Sequence, residues 1–234
     1  GVNYEVLDHA NPSFDAFADT DSLLFDFGII AAGSGLFSES FAITNLDSNA
    51  GFTAALDLDA ILGSGDTGVL TTDLSLFSGL AAGGSHAFDV QFDTSNLGLF
   101  SASYSLSLSD EDLFGELTGM AMSIDLSGRV ALGGDANLDG FVTISDFLAL
   151  QNHYDQAGGW HEGDFNGDGF VTISDFLMLQ NNFSGNELDG INASNITLVA
   201  VPEPSTWVLL SLGGVGLVLF SRKRSGKAAT RVFA

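Results

Sequence analysis

Apolar and polar residues alternate along much of the first half of the chain. Phe100, Ala102, Tyr104, Leu106 and Leu108 are separated by Ser101, Ser103, Ser105 and Ser107. Phe88, Val90 and Phe92 keep the same period, as do Met120, Met122, Ile124 and Leu126. A period of two sends alternate side chains to opposite faces of a strand, so these runs predict strands with an apolar inner face. Clusters of Gly, Ser, Asn and Asp at 33–35, 47–51, 63–68, 83–85 and 109–112 predict the turns between them. Roughly seven or eight short strands before residue 133 give a mainly β protein, with an antiparallel β-sandwich over residues 1–132. The pattern then changes. Residues 135–154 read DANLDGFVTISDFLALQNHY and residues 164–183 read DFNGDGFVTISDFLMLQNNF, identical at 15 of 20 positions with an offset of 29. That is a duplicated unit, a small α-helical module over 133–185 in which each copy is an acidic loop followed by a helix. Phe147, Leu148 and Leu150, and Phe176, Leu177 and Leu179, are expected to carry the two helices into a common core.

Charge sharpens this division. The 234 residues carry 30 acidic side chains, six basic ones and no cysteine, for a net charge of −24. Residues 1–206 hold every carboxylate against Arg129 alone, which is −29, whereas residues 207–234 carry +5. An acidic body without clustered Lys or Arg excludes nucleic acid as a partner. Absence of cysteine excludes disulfides and thiolate metal sites.

The two acidic loops have the donor types a hard cation needs. Each opens D-x-N-x-D-G, and oxygens at positions 1, 3, 5, 7, 9 and 12 of such a loop can surround Ca²⁺, which takes six to eight oxygen ligands. In the first loop these are Asp135, Asn137, Asp139, the Phe141 carbonyl, Thr143 and Asp146. In the second they are Asp164, Asn166, Asp168, the Phe170 carbonyl, Thr172 and Asp175. Gly140 and Gly169 at position 6 allow the sharp bend. Thr143 with Asp146, and Thr172 with Asp175, also form a capping pattern that starts each helix near position 10. Two Ca²⁺ are expected; Mg²⁺ fits less well because it gives up water reluctantly. Loop plus exiting helix, twice, with Asp at position 12, resembles the type I dockerin domain. The resemblance implies two antiparallel calcium-loaded units and a cohesin-like partner touching positions 10 and 11, here Ile144, Ser145, Ile173 and Ser174. The basic residues that commonly follow on dockerin helices are replaced by Gln151, Asn152, Gln180 and Asn181.

Towards the C-terminus, Trp207–Phe220 is uncharged, and Arg222-Lys223-Arg224 follow directly after Ser221. Fifteen uncharged residues rise about 22 Å as a helix, against a hydrocarbon core of roughly 30 Å. The length alone suits a buried core helix, but the basic cluster directly after the run and Trp207 at its other end favour a short transmembrane helix whose basic flank snorkels to the cytoplasmic side. Upstream, Val201-Pro202-Glu203-Pro204-Ser205 is extended by its prolines. Polar motif, apolar helix and basic tail in this order resemble the PEP-CTERM sorting signal over residues 201–225, with a basic cytoplasmic tail at 226–234. The resemblance implies export in a Gram-negative bacterium, recognition of Pro202, Glu203 and Pro204 by the membrane protease exosortase, transient inner-membrane anchoring, and delivery to the cell surface or extracellular matrix. Residues 186–200 are read as a linker, including the triplets at Asn192 and Asn195. The sequence opens Gly1-Val2-Asn3-Tyr4 without an apolar leader, and a signal peptide is expected upstream.

Within the sandwich, Phe25-Asp26-Phe27-Gly28, Ile43-Thr44-Asn45, Leu80–Gly84, the run from Gly98 to Leu108 and Leu126-Ser127-Gly128 resemble the choice-of-anchor type of immunoglobulin-like domain. His9, His86, His153 and His161 are scattered without metalloprotease spacing, and no G-x-S-x-G is present. Asp110-Glu111-Asp112 reads as a solvated acidic turn. The expectation is a non-enzymatic exported surface protein with a calcium module. Two rivals stand beside it: an assembly module docking a cohesin-like protein in a polysaccharide-degrading complex, and a hydrolase whose sandwich itself cleaves extracellular polysaccharide.

Overall fold

The serine-alternating run forms strand β8, Gly98–Asp110, paired antiparallel with β9, Thr118–Ala131. They are the spine of one of two sheets in the computed structural model, which describes residues 7–46, 52–112 and 115–184. The other strands are β1 (Pro12–Ser13), β2 (Ser22–Ala31), β3 (Leu36–Asn45), β4 (Leu56–Gly65), β5 (Leu70–Thr72), β6 (Phe77–Leu80) and β7 (Ser85–Asp93). A five-stranded sheet has the order β2–β9–β8–β4–β6, and a four-stranded sheet the order β1–β3–β7–β5.

Between the sheets lies the expected apolar set. Phe88, Val90, Phe92, Ala102, Tyr104, Leu106, Leu108, Met122, Ile124 and Leu126 are buried, and Phe100 and Met120 pack against them partly exposed. The intervening serines of β8 face outward or sit half-buried, except Ser109 at its end. Asn45, fully buried at the end of β3, ties three segments together. Its Nδ2 donates to the carbonyls of Ala54 (2.9 Å) and Leu80 (3.0 Å), and its Oδ1 accepts from the Asn11 amide (3.1 Å).

Three expectations are corrected. The sandwich is not wholly antiparallel: β2 runs parallel to β9, with Ser22 beside Ser123 and Ala31 beside Ala131. The two strands lie at opposite ends of the sandwich sequence, so no hairpin forces them to run opposite ways. The 63–68 cluster is not all turn. Gly63 and Gly65 extend β4 beside Tyr104 and Ala102, and their missing side chains let β8 approach; a Cβ on Gly63 would lie 3.1 Å from the Tyr104 ring. Asp110 is not solvated. It is 4% exposed and accepts from the Ala10 amide (2.8 Å) and the Leu117 amide (3.0 Å), with His9 Nδ1 2.6 Å away.

After β9 the chain forms two helices, α1 (Ile144–His153) and α2 (Ile173–Asn182), separated by a short 3₁₀ turn, Trp160–Glu162. Both helices begin at loop position 10, as the capping pattern predicts. A second core joins this module to the sandwich: Ala31 and Ala131, at the ends of β2 and β9, cluster with Ala136, Val142, Leu150, Trp160, Phe165, Val171 and Leu179. Sandwich and repeats lie in one compact unit, Gly1–Asn186. Among the described residues, no helix is long and apolar enough to cross a membrane. The Trp207–Phe220 run, the 186–200 linker and Pro202, Glu203 and Pro204 lie outside the described residues.

Candidate functional site: two acidic loops

Each loop is wound by its own carboxylates. Asp135 accepts from the Asp139 amide at Oδ1 (3.1 Å) and from the Gly140 amide at Oδ2 (2.9 Å). Asn137 Oδ1 accepts from the Asp139 amide (2.9 Å), and Asp139 Oδ1 from the Phe141 amide (2.9 Å). Asp146 closes the ring: Oδ1 accepts from the amides of Ala136 (2.9 Å) and Asn137 (3.2 Å), and Oδ2 from the Thr143 amide (2.9 Å) and hydroxyl (3.1 Å). The second loop repeats this and adds one bond at position 4, from the Gly167 amide to Asp164 Oδ1 (2.9 Å). Asp164 accepts from Asp168 and Gly169, Asn166 from Asp168, Asp168 from Phe170, and Asp175 from Phe165, Asn166 and both donors of Thr172. The donors at positions 1, 3, 5, 9 and 12 of each loop are thus brought into one hydrogen-bonded ring. Position 7 contributes its backbone, while the rings of Phe141 and Phe170 stay more than half exposed.

The end positions of each loop are the buried ones. Asp135, Asp146, Asp164 and Asp175 are at most 4% exposed, whereas Asn137, Asp139, Asn166 and Asp168 face outward. Burial pushes the Asp135 carboxyl above its ordinary value of 3.8, with Asp139 and Asp146 adding to the rise and the Gly140 and Asp139 amides opposing it. Among the described residues, no three His, Asp or Glu side chains form a ready-made metal cluster. The carboxylates are turned onto backbone amides, and half of each six-residue ligand set is amide, hydroxyl or carbonyl oxygen. Such an all-oxygen set with three carboxylates fits a hard cation and gives a soft one nothing.

The repeats close on each other with matching contacts. Gly134 and Gly163 stand just before the two loops in left-handed conformations, φ 111° and 110°. A Cβ on Gly134 would lie 2.6 Å from Leu179 Cα, and one on Gly163 would lie 2.8 Å from Leu150 Cα. Each entry glycine therefore lets the other repeat's helix sit against its backbone. After α1 the Asp155 amide donates to the Val171 carbonyl (2.8 Å), and after α2 the Ser184 amide donates to the Val142 carbonyl (3.0 Å). Phe147 and Phe176 meet edge to face at 6.1 Å. Leu150 and Leu179 are buried as expected, but Leu148 and Leu177 are not: they are 47% and 50% exposed. Helical spacing places them four residues after Ile144 and Ile173, on the outer face with Ile144 (50%) and Ile173 (56%). Ser145 and Ser174 are exposed beside them in the first helical turn.

Several residues that shape the loops carried no motif. Trp160 Nε1 donates to the Asp135 carbonyl (2.7 Å), and its ring meets Phe165 edge to face at 5.3 Å, so it bridges the two loops. His161 Nδ1 lies 2.6 Å from the Ala136 carbonyl. From the sandwich, Arg129 Nη2 donates to the Leu138 carbonyl (3.1 Å). The two entry glycines were findable, since they share the 29-residue offset of the repeat. Nothing local marks Trp160 or Arg129.

The dockerin type I domain matches residues 133–184, and the PEP-CTERM protein-sorting motif matches residues 200–224. The chain carries both modules, in that order. No curated protein matches the chain. Among solved structures, the MSP family member WR4 of C. elegans aligns at 7% identity over 43% of this chain and 92% of its own, with a TM-score of 0.31. The ASH/PapD-like domain 7 of human CEP192 aligns at 9% identity over 47% of this chain and 80% of its own, with a TM-score of 0.31. The VesB protease of Vibrio cholerae aligns at 21% identity over 45% of this chain and 30% of its own, with a TM-score of 0.29. At these scores the likeness assigns neither fold nor function.

Proposed function

We propose that the protein is an exported, exosortase-sorted, non-enzymatic surface or matrix protein of a Gram-negative bacterium, whose dockerin module binds one Ca²⁺ in each loop. The observation that carries the calcium reading is the pair of rings with matching hydrogen bonds, each with two buried carboxylates and one exposed carboxylate around a six-residue turn. Asp135, Asn137, Asp139, the Phe141 carbonyl, Thr143 and Asp146 would hold one ion. Asp164, Asn166, Asp168, the Phe170 carbonyl, Thr172 and Asp175 would hold the other. A bound divalent ion supplies two positive charges where three carboxylates otherwise repel one another, and so favours the folded module. The dockerin and PEP-CTERM matches support the export and sorting reading, in which Pro202, Glu203 and Pro204 are the exosortase motif and the Trp207–Phe220 run is its membrane stop. The sandwich, immunoglobulin-like in this reading, serves as a spacer or adhesive head.

A second reading, docking of a cohesin-like partner, is favoured by the outer faces of α1 and α2. Ile144 and Leu148, and Ile173 and Leu177, present matching apolar pairs there, with Ser145 and Ser174 beside them. The test of the calcium reading is thermal unfolding with and without EDTA. Saturation at about 100 times Kd adds roughly 2.7 kcal/mol per ion, so chelation should lower the melting temperature by several degrees. Asp135→Ala with Asp164→Ala should abolish the difference. An unchanged melting temperature on chelation of the parent chain refutes the assignment.

A further inference from the structure

We infer that the sandwich controls the first calcium loop: Arg129 holds Leu138 in the conformation that loop needs, so that ion binding at loop 1 and docking of the module on the sandwich reinforce each other. The inference rests on the calcium reading above. It starts from a difference between two loops that are otherwise nearly identical. At position 4 the second loop has Gly167, with φ 73°, and the first has Leu138, with φ 61°. Glycine enters left-handed space freely, whereas the Cβ of a leucine there crowds its own backbone. A residue so strained persists where its surroundings hold it.

For Leu138 those surroundings come from the sandwich. The guanidinium of Arg129, near the end of β9, donates to the Leu138 carbonyl at 3.1 Å, and the leucine side chain packs against the junction core that contains Ala31 and Ala131. Leu97, just before β8, and Leu99, at its start, complete the surrounding cleft, which has a volume of about 300 Å³ and also reaches Asp135, Asp139 and Gly140. Arg129 is the one basic residue in the first 221, and it is spent on a carbonyl, not on a carboxylate. Among the described residues, no side chain donates to the Gly167 carbonyl, so the second loop is an internal control.

A loop that must be held to be competent binds its ion more weakly in proportion to the competent fraction. Loss of the Arg129 hydrogen bond should therefore weaken loop 1 about 5- to 10-fold, the scale of one ordinary intramolecular hydrogen bond. Linkage makes the effect reciprocal: calcium in loop 1 should tighten the sandwich junction. Charge acts in the opposite direction, since removing a cation beside the loop would strengthen calcium binding. A weakened site is thus the signature of the clamp.

The test is calorimetric titration of the full chain with calcium alone. In an Asp164→Ala background, which leaves loop 1 to report, Arg129→Gln should weaken binding about 5- to 10-fold; in an Asp135→Ala background it should change nothing. Adding Leu138→Gly, which copies loop 2, should bring loop 1 back to within about twofold of its starting affinity. Hydrogen exchange should show calcium slowing the amides of residues 128–131 in the parent but not in Arg129→Gln. Unchanged or tightened binding at loop 1, equal weakening of both loops, or no recovery with Leu138→Gly overturns the clamp while leaving the calcium reading intact. A parent chain that takes up no calcium overturns both.

Discussion

Asp135 shows how a single side chain can be built against its own stability. Its carboxyl is 2% exposed, and burial raises its pKa above the 3.8 of a free aspartate. When the folded pKa of an acid is raised, the folded state holds more protons than the unfolded one between the two values. Stability then falls as pH rises through that window, and the loss is complete above the folded pKa. The calcium-free chain should accordingly lose stability from this group as pH climbs past 3.8, and saturating calcium should remove the loss. Thermal unfolding across pH in EDTA checks this: the slope in this window should be less negative in Asp135→Ala than in the parent. At this scale the ligand types were legible, because oxygen donors at fixed spacing have few other uses. The conformation of Leu138 was not legible, since only a partner from another part of the chain makes it tolerable. Asp110 misled for a related reason: its acceptors are filled by Ala10 and Leu117, and Ala10 is far away in sequence.

Within the repeats, glycines set how closely one element can approach another. Gly134 and Gly163 accept the backbone of the opposite helix, whereas Gly167 and Gly169 have open space where a Cβ would go. Gly163→Ala combines an unfavourable φ with a clash against Leu150 and should cost about 2–4 kcal/mol; Gly167→Ala, strained only in φ, should cost about 1 kcal/mol. Leu150→Ala, which empties the core on the other side of the same contact, should cost about 2–5 kcal/mol. Urea unfolding in saturating calcium reads all three, and equal costs for the two glycines would contradict this packing. The strands β7, β8 and β9 were legible from alternation alone, because each has one wet face. Leu148 and Leu177 were misplaced because three apolar residues in each helix were all assigned inward, while a short helix can turn only part of its circumference to a core this small.

Across the whole molecule, the sandwich was legible as a class from strand count and turn spacing. Its topology was not, since period-two patterns say nothing of which strand lies beside which. The parallel neighbours β2 and β9 are the clearest case, and their direction has a mechanical meaning. Tension between a point before Ser22 and a point after Ala131 pulls two parallel strands in opposite directions along their length. Every hydrogen bond of the ladder then carries load together, instead of parting one after another as in a peeled hairpin. Because the chain has no cysteine, engineered thiols give unique handles for pulling. Ser22→Cys with Leu132→Cys should yield only at several times the force at which Leu97→Cys with Leu132→Cys peels β8 from β9 at their open end, and single-molecule stretching would measure the ratio. A spacer held at one end to a cell and at the other to its surroundings would be loaded along this resistant direction.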